Sequence, residues 1–243
     1  EPFLRKDIKR ILKTAASLFG EKNIGIDSNG SLDNSFELLS EVADYLSYIG
    51  ISINGLHDYH NWWSNNYEID AYEQSMSTVK SLCLNSGIRS KLEVTSVATT
   101  RNIESLIVLM SKLKAIGVEN YSVHRAFPVG RMANLSREMI PSWRQYLMLL
   151  CNILETGEYL GMDVHLHHSI ESIHATLLCG YNTITDDNLI DKNSRSSIAI
   201  DHKGNLLINP WSTAGFWDLL ILGNLLGNSL SVKDLLLKNN TLI

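Results

Sequence analysis

Hydrophobic residues recur along the first two-thirds of the chain with two alternating periods. Leu4, Ile8, Ile11, Leu12, Ala15 and Leu18 fall at three- and four-residue spacing, one face of a helix that Gly20 can end in a left-handed cap. The period then shortens. Over residues 23–28, Ile24 and Ile26 alternate with Gly25 and Asp27 as in a short strand, and Ser28-Asn29-Gly30 supplies a turn. Phe36, Leu39, Val42 and Leu46 predict a second helix, opened by Asn34 and Glu37 at capping-box spacing. Residues 48–53 read as a strand with Ile49, Ile51 and Ile53 on one side and Gly50 and Ser52 on the other. A third helix carries Ile69, Tyr72, Met76, Val79 and Cys83 and stops at Gly87; residues 91–97 come next as a strand. Asn102 is placed to cap a helix bearing Leu106, Ile107, Met110 and Leu113, which Gly117 closes before a strand at 119–124. Trp143, Tyr146, Leu147, Leu150 and Leu154 then mark a long helix, and residues 163–167 one more strand.

Strands separated by helices of this kind predict right-handed crossovers and a parallel sheet, hence an α/β fold. From residue 169 onward the character changes. A polar stretch at 183–197 precedes Ile198-Ala199-Ile200-Asp201, the turn His202-Lys203-Gly204-Asn205 and Leu206-Leu207-Ile208, which together read as a hairpin, and a short helix is expected at 231–237. The expected organisation is an α/β domain over 1–168 and a small extension over 169–243.

Parallel α/β sheets and barrels build their sites at the carboxyl ends of the strands. Those ends hold Ser28, Asn29 and Gly30, then Ser52, Asn54 and Gly55, then residues 95–102, and finally His124, Arg125 and Pro128. Most are polar and uncharged, suited to a ligand with hydroxyl, amino and carboxylate groups. If the isoleucines of the second strand face outer helices, Ser52 faces the lumen, and the same parity turns Asn29 and Thr95 inward.

Composition narrows the classes. The 243 residues are 44% hydrophobic and 19% charged, a globule and not a disordered chain. A net charge of −5 gives no electrostatic footprint for nucleic acid, and no apolar run reaches the ~18–20 residues of a membrane span. Three scattered cysteines, Cys83, Cys151 and Cys179, do not form a disulfide framework, which favours a reducing, cytoplasmic setting. Dinucleotide, P-loop and hydrolase-elbow motifs find no match. His165, His167, His168 and His174, with His202 and Asp201 further on, form the one metal-like group, and a His-ligated hydrolase is a minor alternative. Trp62 and Trp63 are expected on a loop over the rim.

Several segments carry a resemblance. Glu1-Pro2-Phe3-Leu4-Arg5-Lys6-Asp7-Ile8 is similar to the segment that comes after the glycines of the Gly-Gly-Glu-Pro motif in radical S-adenosylmethionine enzymes. Ile26-x-Ser28-Asn29-Gly30 resembles their "I-x-T-N-G" strand end, and Ile51-Ser52-Ile53-Asn54-Gly55 with His60 resembles "I-S-I-D-G…H". Asn102-Ile103-x-x-Leu106 and Arg125-Ala126-Phe127-Pro128-Val129-Gly130-Arg131 resemble two later motifs, in the family's order. In the tail, Cys179-Gly180, Ile200-x-x-x-Gly204-x-Leu206-x-x-x-Pro210 and Leu222-Gly223-Asn224-Leu225 resemble the cysteine-rich SPASM or twitch extension of peptide-modifying members. Trp211 stands where that pattern has a cysteine, so one thiolate, Cys179, is left as a weak candidate ligand for an auxiliary cluster that needs about four.

The resemblance implies a partial (β/α) barrel of the radical S-adenosylmethionine type, lacking its first strands, with a hairpin-plus-helix extension. It also implies a 4Fe–4S cluster held by a Cys-x-x-x-Cys-x-x-Cys run, which in the family precedes Gly-Gly-Glu-Pro and is absent from these residues. The expectation is therefore an N-terminally truncated chain whose cluster ligands lie upstream and which is inactive alone. In the family, the cluster cleaves S-adenosylmethionine reductively to a 5′-deoxyadenosyl radical that abstracts hydrogen from the substrate, here expected to be a peptide or a small molecule. A reductant such as flavodoxin or ferredoxin is implied. By the same resemblance Glu1 lies beside the methionine amino group, Ser52 and Asn54 near the ribose, Asn29 and Thr95 on the lumen wall, and Arg125 against a carboxylate. A non-catalytic binding module derived from the barrel is the other alternative.

Overall fold

The computed structural model describes residues 1–65, 69–127 and 137–166, together with Leu178, Cys179 and three short strands beyond them. The chain divides into two compact units, one over 1–126 and 138–182 and one over 127–137 and 183–243.

The first unit is built from strand–helix repeats. Its five strands are β1 (Gly25–Ser28), β2 (Tyr48–Ser52), β3 (Leu92–Ala98), β4 (Asn120–Arg125) and β5 (Asp163–Leu166), all parallel and in the order β1-β2-β3-β4-β5. The helices are α1 (Ile8–Phe19), α2 (Ser35–Val42), α3 (His57–Ser64), α4 (Ala71–Leu84), α5 (Ser86–Arg89), α6 (Ser105–Ala115) and α7 (Trp143–Leu160). Ile49, Ile51, Leu92, Val94, Tyr121 and Val123 are almost wholly buried on the helix-facing side of the sheet, against Leu39, Val79, Leu82, Leu106, Leu109, Met110 and Leu150. Strands β2, β3 and β4 thus bury one face under helices, as parallel sheets require, while Val164 and Leu166 of β5 are half-buried against the same core.

Helix ends follow local chemistry, with some departures from the pattern in the sequence. Gly20 ends α1 at φ +83°. Asn34 is the N-cap of α2, but its side chain makes no capping bond; Ser35 Oγ instead accepts the Leu32 N–H at 3.0 Å. Helix α4 ends at Leu84 and not at Gly87, because Asn85 breaks it and caps the short α5 by accepting the Gly87 N–H at 3.1 Å. The segment with Trp62 and Trp63 is the helix α3, not a loop. Glu104, not Asn102, occupies the N-cap of α6. At α7, Ser142 and Gln145 form a reciprocal capping box.

The second unit contains an antiparallel sheet of β6 (Ala199–Ile200), β7 (Asn205–Leu207) and β8 (Ile221–Asn224). The hairpin expected here is its first two strands, and Asn224 Nδ2 donates to Asn205 Oδ1 at 2.8 Å between the second and third. The helix expected at 231–237 and the polar stretch at 183–197 lie outside the described residues. Among the described residues no helix is long and apolar enough to cross a membrane.

Candidate functional site

Strand alternation leaves the face opposite the helices mostly polar, with Val97 the apolar exception on β3. One register row runs Asp27, Gly50, Glu93, Asn120, Asp163, and the next row on that face runs Ser52, Thr95, Ser122, His165. Sequence parity placed Ser52 and Thr95 on this inner face, and the pairing puts them side by side. Thr95 Oγ1 and Ser122 Oγ share a hydrogen bond of 3.0 Å.

At the carboxyl end of β1, Glu1 closes over the strand. Its carboxylate accepts from Ser28 Oγ at 2.9 and 3.0 Å and from the Asn29 N–H at 3.0 Å. The turn beneath is fixed from α4, where Ser75 Oγ donates to Asn29 O at 2.7 Å and Thr78 Oγ1 to Gly30 O at 2.8 Å. Gly30 sits at φ +66°, and a Cβ there would press on Ile51 Cγ2 at 3.1 Å, so the turn needs glycine twice over. The Asn29 side chain accepts from the Ser31 N–H at 3.1 Å, leaving its amide on the exposed side of the turn.

The ends of β2 and β3 are tied by buried amides. Asn54 Oδ1 accepts the Val97 N–H at 2.8 Å, and the Asn54 N–H donates to His60 Nδ1 at 3.0 Å. Asn102 Nδ2 donates to Asn54 O at 2.5 Å and Val97 O at 2.8 Å, while Asn102 Oδ1 accepts from Thr99 N and Thr99 Oγ1 at 2.7 and 3.0 Å. All four hydrogen-bonding positions of that side chain are filled. Burial pushes the His60 pKa down to about 4, which keeps it neutral with Nδ1 as acceptor. Asn54 therefore uses its side chain to organise the rim.

Above this network stands an aromatic group on α3. Tyr59 stacks on Trp63 with ring centroids 6.1 Å apart, Trp62 lies 5.4 Å from Tyr59, and the Arg101 guanidinium caps Trp62 at 5.0 Å. Tyr59 Oη and Thr99 Oγ1 share a 2.8 Å hydrogen bond, and burial raises the Tyr59 pKa to about 12.

Arg125 is the last residue of β4. It pairs with Ala98 in the register, on the helix side of the sheet, and both Nε and Nη2 donate to Pro141 O at 3.0 and 2.6 Å. The inner-face residue at the end of β4 is its neighbour His124.

The chain's cysteines do not converge on the strand ends. Cys83 is buried on α4, where Gly117 would bring a Cβ within 3.3 Å of it, and burial raises its pKa to about 11. Cys179 Sγ lies 3.9 Å from Cys151 O on α7. Among the described residues no group of three His, Cys, Asp or Glu can hold a metal ion. A 4Fe–4S cluster thus finds no ligand set among the described residues. His165 pairs with Glu93, and His167, His168, His174, Asp201 and His202 lie outside the described residues.

Several inner-face residues carry no motif signal: Asp27, Tyr48, Glu93 and Ser122. Tyr48 Oη donates to Glu93 Oε1 at 3.4 Å, and His165 Nδ1 contacts Glu93 Oε2. Burial and the nearby Asp27 and Glu93 carboxylates raise the Tyr48 pKa well above its usual value. Gly50 makes this possible, because a Cβ there would overlap Asp27 Oδ1 and stand 2.6 Å from Tyr48 Oη. The register rows, read with parity, are the signal that finds these residues.

No protein-family model matches the sequence, and no curated protein matches it significantly. Solved structures do. The chain is similar to anSMEcpe with bound AdoMet and Kp18Cys peptide, with a TM-score of 0.63 and 15% identity over 100% of this chain and 67% of that one. It is similar to hexahistidine-tagged anSMEcpe with bound AdoMet at TM-score 0.62 and 15% identity, covering 97% of this chain and 64% of that one. It is also similar to Streptococcus suis SuiB bound to precursor peptide SuiA, at TM-score 0.58 and 15% identity, covering 86% of this chain and 46% of that one. The chain thus spans less than two-thirds of the length of tagged anSMEcpe and less than half that of SuiB. The α/β partial barrel of the radical S-adenosylmethionine type, expected from the sequence, is the fold these structures share.

Proposed function

We propose that this chain forms part of a radical S-adenosylmethionine enzyme that acts on a peptide. The observation that carries the reading is the strand-end cradle of Glu1, Ser28 and Asn29, on a fold shared with proteins solved with AdoMet. Once reduced by one electron from outside these residues, bound S-adenosylmethionine would supply a carbon radical able to abstract hydrogen from the substrate. Glu1 offers a carboxylate already oriented by Ser28 and Asn29 to an ammonium group. Ser52 and Thr95 present hydroxyls on the inner face to ribose, Asn29 adds an exposed amide, and Asn54 holds the loop between β2 and α3 in place. Arg125 fixes the Pro141 carbonyl before α7.

The reading requires a 4Fe–4S cluster whose thiolates these 243 residues do not supply, so no step is derived through it. The peptide substrate is supported by two of the similar structures, which contain the Kp18Cys peptide and the precursor peptide SuiA. The extension over 169–243, with its three-stranded sheet, fits a twitch-like module, and three free cysteines fit a reducing compartment.

Calorimetric titration of the chain with S-adenosylmethionine tests the reading. Saturable binding is expected, and Glu1→Gln should weaken it at least about tenfold, the loss of one charge-assisted contact. No saturable binding to the chain, or equal binding by the Glu1→Gln variant, overturns it.

A further inference from the structure

The inner face holds an acid–base arrangement that cofactor binding does not use. Glu93 is on β3 and His165 on β5, separated by β4, and Glu93 Oε2 meets His165 Nδ1 across that strand. The two partners differ sharply in exposure, with the Glu93 side chain 10% exposed and the His165 side chain 57%. A buried carboxylate thus holds an accessible imidazole by one nitrogen. The carboxylate is itself held from its other oxygen by Tyr48 Oη at 3.4 Å. Tyr48 is set between Asp27 and Glu93 by the missing side chain of Gly50. A carboxylate that only stabilised the sheet would need neither an exposed partner nor a glycine clearing room for its phenol.

We infer that Glu93 and His165 form a proton-accepting dyad that serves a hydroxyl- or thiol-bearing side chain of the substrate. Glu93 is the positioning residue. It accepts the Nδ1–H, which fixes the tautomer and leaves the Nε2 lone pair as the base, and it stabilises the imidazolium once formed. In the step, the O–H or S–H bond of the substrate breaks, its electron pair stays on oxygen or sulfur, and the proton moves to Nε2. Ser122, directly beside His165 in the register, offers a hydroxyl along which such a side chain can lie. The charged and titratable groups facing the dyad are Asp27 from β1, Tyr48 from β2, His124 from β4 and Asp163 from β5. The inference rests on the proposed peptide substrate for its substrate class and on geometry alone for the dyad.

The test uses the chain without cofactor. Long-range proton–nitrogen NMR reads the His165 tautomer, and diethyl pyrocarbonate acylation, mapped by mass spectrometry, reads Nε2 reactivity. The Nδ1–H tautomer is expected, and acylation of His165 should be at least about tenfold faster than in Glu93→Gln, with Glu93→Asp restoring part of the rate. An Nε2–H tautomer, or a rate indifferent to Glu93→Gln, overturns the dyad. A peptide with a single central cysteine is then added and thiolate absorbance followed. Absorbance that rises with wild type and not with His165→Gln supports proton transfer, and saturable binding without any rise overturns it. Failure of that peptide to bind counts against the peptide substrate, and the tautomer and acylation still decide the dyad.

Discussion

His60 is a neutral acceptor locked inside the fold, and acid should therefore destabilise this chain through one residue. Its ring is 3% exposed on α3, and Nδ1 takes the Asn54 N–H that anchors the loop after β2. Desolvation lowers its pKa from 6.5 to about 4, with Asp70 opposing weakly. The folded value lies below the unfolded one, so as pH falls the unfolded chain binds the proton first. The stabilisation is complete above 6.5 and is lost as pH falls towards about 4. At ~1.4 kcal/mol per pKa unit, that window is worth about 3 kcal/mol. Urea unfolding at neutral pH and at pH 4, on wild type and on His60→Gln, isolates the effect. Glutamine keeps an acceptor for Asn54 N and has no proton to gain, and the acid loss common to both proteins cancels in the comparison. Wild type should lose about 3 kcal/mol more than the variant between the two conditions. Equal losses would falsify the buried-neutral assignment.

Other expectations come from the same geometry. Asn102→Ala strips four hydrogen bonds from a fully buried site and should cost about 3–5 kcal/mol, read as a fall in urea midpoint; a loss under ~1 kcal/mol means water or neighbours replace the amide. Gly50→Ala drives a methyl onto Asp27 and Tyr48 and should destabilise by about 1–3 kcal/mol, while a neutral effect in thermal unfolding refutes the packing of that pair across β2. The His57 pKa is raised, first by Asp58 and then by Asp70, so its ion pairs stabilise below 6.5 and are lost as pH rises through the raised value. NMR titration should show the His57 midpoint move towards 6.5 in Asp58→Asn and in Asp70→Asn, more so in the first, and an unmoved midpoint in both removes this account.

Much of the architecture was readable from period alone. The strands at Ile26, Ile49–Ile51, Leu92–Val94 and Tyr121–Val123 alternate because one face packs on helices, and that constraint is written residue by residue. Helix ends were less legible. Asn102 has the residue type of an N-cap and faces the other way, because the strand-end carbonyls of Asn54 and Val97 lie within its reach only in the folded chain. The helix α3 was hidden by its aromatic content, since Tyr59, Trp62 and Trp63 cluster with one another on its surface and show no core-facing stripe. At the candidate site, parity was enough to turn Ser52 and Thr95 to the inner face, and the strand register then set them side by side. At Arg125 the two signals point apart: the motif names it for a carboxylate, and alternation along β4 turns it to the helix side.

By itself, the sequence determined an α/β chain of parallel strands, with polar strand ends and three cysteines scattered far apart along it. Each of these is a property of local spacing or of residue count, and none needs a partner distant in the chain. Tertiary structure alone decided which polar residues share a surface. Asp27, Tyr48, Glu93, Ser122 and His165 come from five strands, and Glu93 and His165 stand 72 positions apart. Their meeting depends on register and on the absence of a side chain at Gly50. A register is a relation between strands, fixed by how all of them bury their apolar face at once, and no single segment carries it.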